Sequence, residues 1–263
     1  MRSVDRITVI NFVAMMMVVM IHSNLPGTRF APYVILALTQ WAIPWFFLIS
    51  GVFLTRSLHR YGILELCKKK VMSLIMPYLL WSLLTLPCGG NPPLWFLRSL
   101  IYFTFSAILL FVIPVRHRHP AFALVLAIPF GILTFFRCGW FIGTPTSPFW
   151  FILGMVASDF ILQDRPRSSY VVILSTLVLA VVTRAVWFVV PLHGNMEMIL
   201  RNCCCIFAII ALWCMCDMFA HNWSPKHPIW KTTFFVYCAH YPFFLVSKPL
   251  YTRIAGGGGI CAK

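Results

Sequence analysis

From Ile7 to Ile21 the chain reads ITVINFVAMMMVVMI without one charged side chain, and runs of this kind recur along its length. Nothing else constrains the fold as strongly. An apolar run of roughly 20 residues is long enough to cross a hydrocarbon layer as a helix, because a helix pairs all its backbone donors and acceptors within the segment. Nine segments qualify: 7–25, 33–54, 71–87, 94–114, 121–136, 148–162, 170–190, 199–220 and 230–250. The fifth and sixth are short and rich in Pro and Gly, so they are expected to be tilted, broken or re-entrant. With 60% of residues hydrophobic and 10% charged, a water-soluble domain would lack the polar surface to face water. The expected fold class is all-α: a polytopic transmembrane helical bundle of nine to ten spans. It forms one domain over residues 1–263, with residues 251–263 as an unstructured tail containing the glycine run at 256–259. The opening MRSVDR leads into a run as long as a span with no small-residue cleavage site after it, which reads as an uncleaved first helix.

The formal charge is +15, a value that in a soluble protein would suggest nucleic acid. Here the basic residues lie in short loops between apolar runs. Counted in alternate loops, 13 of the 21 Lys and Arg fall on one side and 6 on the other, with Arg98 and Arg184 inside spans. The positive-inside rule then places the N-terminus in the cytoplasm, and the charge reports orientation rather than a nucleic-acid partner.

Polar side chains inside spans are costly, and each needs an explanation. The ionisable ones are His22, Arg98, Asp159, Arg184, Asp217 and His240, with Asn11 as an uncharged amide. Asp159, Arg184 and Asp217 lie near span ends, where snorkelling or capping accounts for them. His22 and His240 differ in kind, since imidazole can take and return a proton near neutral pH. Hydrogen-bonded packing between helices is the alternative for each. Of the ten cysteines, Cys203, Cys204 and Cys205 are consecutive and point around a helix, and no CxxC or HxxxH spacing supports a metal. No phosphate-binding loop, dinucleotide fingerprint, serine-elbow motif or carboxylate pair is present, so histidine is the best available base.

Five stretches, taken in order, resemble the integral-membrane acyltransferase 3 family. RITVINFVAMMMVVMIHSN at 6–24 resembles its first helix, which closes on a histidine. WFFLISGVFL at 45–54 resembles its second helix, with an aromatic pair before Ser-Gly. KKKVMSLIMPYLLWSLL at 68–84 resembles the basic loop entering a Pro-Tyr helix, and PLWFLRSL at 93–100 the Trp-Phe-Leu signature that follows. FFVYCAHYP at 234–242 is similar to the late Phe-x-x-Tyr-x-x-His helix.

The resemblance implies transfer of an acyl group, usually acetyl, from cytoplasmic acyl-CoA to a hydroxyl of an envelope carbohydrate or glycolipid. Acyl-CoA is then a co-substrate, no bound cofactor or metal is required, and the protein works among the lipids of the inner (plasma) membrane. Carried over by position, His22 is the catalytic base, and Ser50, Trp95, Arg98 and His240 are substrate-side residues. Lys68, Lys69 and Lys70 match the basic loop that would meet the CoA phosphates; a plain orientation signal is the alternative. The family carries Arg or Lys eleven residues before its histidine, where this chain has Asn11, so the resemblance makes Asn11 a catalytic position beside His22. The family also has about one more span after the helix at 230–250, so a truncated or divergent member is expected. Two other readings stay open: a transporter of a small or lipid-linked molecule with His and Arg along its pathway, and an inactive family member serving as a scaffold.

Overall fold

The computed structural model describes residues 3–22, 39–86, 94–116, 147–163, 169–190, 193–219, 228 and 232–256. Among these residues the only regular structure is helical. The expected fifth span, 121–136, lies outside them. The helices are α1 (Ser3–His22), α2 (Ala42–Arg60), α3 (Ile63–Lys70), α4 (Met76–Thr85), α5 (Trp95–Arg116), α6 (Ser147–Val156), α7 (Ser158–Leu162), α8 (Tyr170–Val189), α9 (Asn195–Phe219) and α10 (Thr233–Gly256). By length and apolar composition, three stretches among the described residues are fit to cross a membrane: Ala42–Arg60, Tyr170–Val189 and Asn195–Met218.

The breaks follow from residue chemistry. Pro77 has no N–H to donate, and the turn before it, Val71–Ile75, widens into a π-helix in which the Met76 N–H reaches back to Val71 O. Thus α3, this turn and α4 form one interrupted rod. The expected sixth span is indeed broken, at Ala157 between α6 and α7. At the other end α10 continues through residues 251–256, the first part of the stretch expected as a tail. Its last described residue, Gly256, is the first of the glycine run.

The core is built around α2. Trp45, Phe47, Leu48, Val52 and Leu54 are buried there against Ile7, Ile10 and Ala14 of α1, Leu97 of α5 and Trp150 and Phe151 of α6. Helices α2 and α6 approach at two glycines. A Cβ on Gly51 would stand 2.0 Å from Phe151 O, and one on Gly154 would stand 1.8 Å from Leu48 O. Small residues at such a crossing let backbones meet directly, as they do between helices in membranes. The Ser-Gly pair of the second helix therefore has a packing reason for its glycine.

Helix α8 is apolar on the outside and charged on the inside. Leu174, Val181, Val171 and Val189 are exposed, whereas its three buried residues are Ile173, Ala180 and Arg184. Water would penalise that arrangement, and lipid favours it.

Candidate active site

Helix α1 carries polar groups at both ends, and three other helices meet it there. At its N-terminal end Arg6, counted from sequence among the loop cations, is 2% exposed inside the bundle. Its Nη1 lies 3.6 Å from Asp217 Oδ1 on α9, and its Cζ stands 4.9 Å above the ring of Trp213. Asp217 is 4% exposed, so the snorkelling expected of it is corrected: a buried carboxylate needs a cation, and Arg6 supplies one. Asp159, by contrast, is exposed, in keeping with its expected place near an interface.

One turn and a half further along α1, Asn11 Oδ1 accepts a hydrogen bond from Trp45 Nε1 at 2.8 Å. Trp45 in turn lies 6.2 Å from Trp213, ring to ring. Asn11 therefore ties α1 to α2. It stands about 16 Å along the helix from His22, and the fold does not bring the two into one site.

At the C-terminal end of α1, the half-buried His22 ring lies 5.2 Å from that of His240 on α10 and 6.3 Å from the ring of Tyr241. His240 is buried, and its Nδ1 lies 2.5 Å from Tyr237 O. A carbonyl only accepts, so Nδ1 carries the proton in that bond and the neutral ring keeps its lone pair on Nε2. Nε2 is buried without a hydrogen-bond partner among the described residues. Tyr237 also packs edge-on against Phe96 at 5.5 Å, which fixes α10 to α5 and sets the height of His240.

The remaining expected residues are dispersed. Ser50 donates to Phe46 O of its own helix at 2.7 Å. Trp95 is half-buried against Phe96, and Arg98 is exposed on α5. On α3, Lys69 forms a 2.8 Å ion pair with Glu65 and lies 3.3 Å from the Tyr61 ring centre. The Glu65 hydrogen bond raises the Lys69 pKa, while burial lowers that of Lys70. Lys68 is exposed and Lys70 half-buried. Arg184, also expected to snorkel, is 8% exposed and donates to Gln40, with its Cζ 4.0 Å from the Trp187 ring centre. A charge near a span end reads the same in sequence whether it turns outward or inward, so sequence reasoning missed the roles of Arg6 and of Gln40, the partner of Arg184.

A bundle of apolar helices with paired imidazoles in its interior is a frame for proton-transfer chemistry at a membrane. The chain matches the acyltransferase 3 family model, described as an acyltransferase domain, over residues 4–89 and 83–257, and it belongs to that family. It is accordingly an acyltransferase and a membrane protein. No curated protein and no solved structure gives a significant match.

Proposed function

We propose that the protein transfers an acyl group, acetyl above all, from acyl-CoA to a hydroxyl of an envelope polysaccharide or glycolipid. It does so in the inner membrane, from a bundle of nine to ten spans with a cytoplasmic N-terminus. The observation that carries the reading is the His22–His240 pair, held ring to ring at 5.2 Å inside a member of this family. In the proposed step His22 takes the proton of the acceptor hydroxyl, and the oxygen attacks the thioester carbonyl. The new C–O bond forms as the C–S bond breaks, and the departing thiolate takes the proton back from the imidazolium. General-base assistance of this kind is worth roughly 10²–10⁴-fold. His240, with Nδ1–H committed to Tyr237 O, offers Nε2 as an acceptor for a second hydroxyl of the same sugar.

Lys68 and Lys70 are the cations left for CoA phosphates, because Lys69 is engaged by Glu65 and Tyr61. Asn11 is a positioning residue that holds Trp45.

The test is a deletion strain whose surface glycans are examined by mass spectrometry. Loss of O-acetyl groups, restored by the wild-type gene and not by His22→Ala, is the expected outcome; an unchanged acetylation pattern sinks the proposal. One residue favours a second reading, an inactive copy acting as a scaffold: Asn11 stands where the family carries a cation. Acyl transfer gained by Asn11→Arg from an inert wild type would establish that reading.

A further inference from the structure

The guanidinium of Arg184 is held from several directions. Its Nη1 donates to Gln40 Oε1, and its Cζ lies 4.0 Å and 4.7 Å from the ring centres of Trp187 and Phe188. Its remaining edge, Nε with Nη2, is buried and has no hydrogen-bond partner among the described residues. That edge is the fork that receives a carboxylate or phosphate through two parallel N–H···O bonds. A buried charged donor without an acceptor is unfavourable, so an edge kept in this state calls for a ligand.

Helix registers place this fork at the height of the histidines. Moving from Arg6 to Asn11 on α1 accompanies moving from Asp217 towards Trp213 on α9, so the two helices run antiparallel. His22 is about 24 Å up α1 from Arg6, and Asn202 is about 22 Å up α9 from Asp217. Asn202 is 1% exposed, and its Nδ2 has no hydrogen-bond partner among the described residues. It shares a face of α9 with Cys205 and Ile209, which join the core that contains α1. Cys204 Sγ donates to Ala180 O, and one turn further along α8 from that contact stands Arg184, level with the start of the turn that carries Asn202. At one height, therefore, the bundle presents three unpartnered donor nitrogens and one open acceptor, His240 Nε2. Their complement is an oxyanion joined to a hydroxyl.

We infer that Arg184 and Asn202 form an oxyanion subsite, and that the acceptor is a sugar bearing a carboxylate or phosphate beside the hydroxyl to be acylated. The acceptor role rests on the acyltransfer reading above; anion binding by the fork does not.

The wild-type protein in zwitterionic nanodiscs is titrated with glucuronate, inorganic phosphate and, as neutral control, glucose. Saturable binding of an anion and none of glucose is expected, weakened about 10–100-fold in Arg184→Gln by loss of a charge-assisted bidentate contact. Arg184→Lys keeps the charge without the fork and should bind with intermediate affinity. Unchanged anion affinity in Arg184→Gln overturns the subsite; if that variant does not fold, unchanged affinity in Arg184→Lys does so. Transfer is then compared between a glucuronoside, a sugar phosphate and a neutral glycoside. A preference for a charged acceptor that Arg184→Gln abolishes supports the acceptor assignment. Equal rates on all three, with the anion displaced by phosphatidylglycerol in the disc, give the fork to a lipid headgroup and overturn that assignment. Anion binding without transfer to any acceptor upholds the fork and removes only the acyltransfer reading.

Discussion

The two ends of α1 use polar residues in opposite ways. At the Arg6 end the charged and amide groups face one another: Arg6 with Asp217 and Trp213, Asn11 with Trp45. Towards the His22 end, by helix register, His240 Nε2, Arg184 Nε and Nη2 and Asn202 Nδ2 are buried without hydrogen-bond partners among the described residues. Polar groups that pair with each other rigidify a core, whereas open ones leave room for a ligand. The first end should therefore govern stability and the second activity, and variants can separate the two.

The largest effect is expected at the open end. His22→Ala should lower kcat by about 10²–10⁴-fold, equivalent to roughly 3–5 kcal/mol in the barrier, and should leave the thermal unfolding midpoint in detergent near that of the wild type. A variant that unfolds early, or one that keeps full activity, would erase the contrast between the ends.

Next comes the closed end. Asp217→Asn leaves the Arg6 charge buried with a weaker partner and should destabilise the fold by about 3–5 kcal/mol. Adding Arg6→Met should recover most of that loss, since removing both charges avoids the desolvation that the pair otherwise offsets. Activity per folded molecule should hold in the double variant. If the single variant melts like the wild type, the ion pair is not what fastens α1 to α9.

A smaller change at the same end is Trp45→Phe, which keeps the ring in the core and strands Asn11 Oδ1. A loss of about 1–3 kcal/mol is expected, read as a lower melting temperature with the acceptor KM unchanged. A raised acceptor KM would instead mean that Asn11 and Trp45 touch substrate and that the two ends are one site.

Much of the fold was legible because apolar length is a strong signal: the run at 94–114 became α5, Trp95–Arg116, and the Pro/Gly-rich sixth segment broke at Ala157 as expected. Both histidines stood out from their chemistry. What could not be read was register. His22 and His240 lie at opposite ends of the chain, and nothing local to either says that α1 and α10 meet at that height. The same gap hid Arg6, whose place beside a loop in sequence gave no hint that Asp217 would draw it inside. Arg98 and Arg184 both lie inside apolar runs, and packing turned the first outward and the second, expected to snorkel, against Gln40.

The smallest expected effect lies away from both ends, on α3, and serves as their control. Burial lowers the Lys70 pKa from the ordinary 10.5, so this lysine gives up its proton at lower pH than an exposed one. Lys69 moves the other way through its bond to Glu65 and stays charged over that range. If Lys70 holds a CoA phosphate, the KM for acyl-CoA should rise as pH climbs through the lowered Lys70 value, while the acceptor KM stays flat. Lys70→Arg, which remains protonated throughout, should abolish that rise, and Lys69→Arg should leave it in place. A pH profile unaffected by Lys70→Arg would return the basic cluster to a purely topological role. A profile that moved the acceptor KM as well would couple α3 to the open end of α1, and donor and acceptor would then share one electrostatic site.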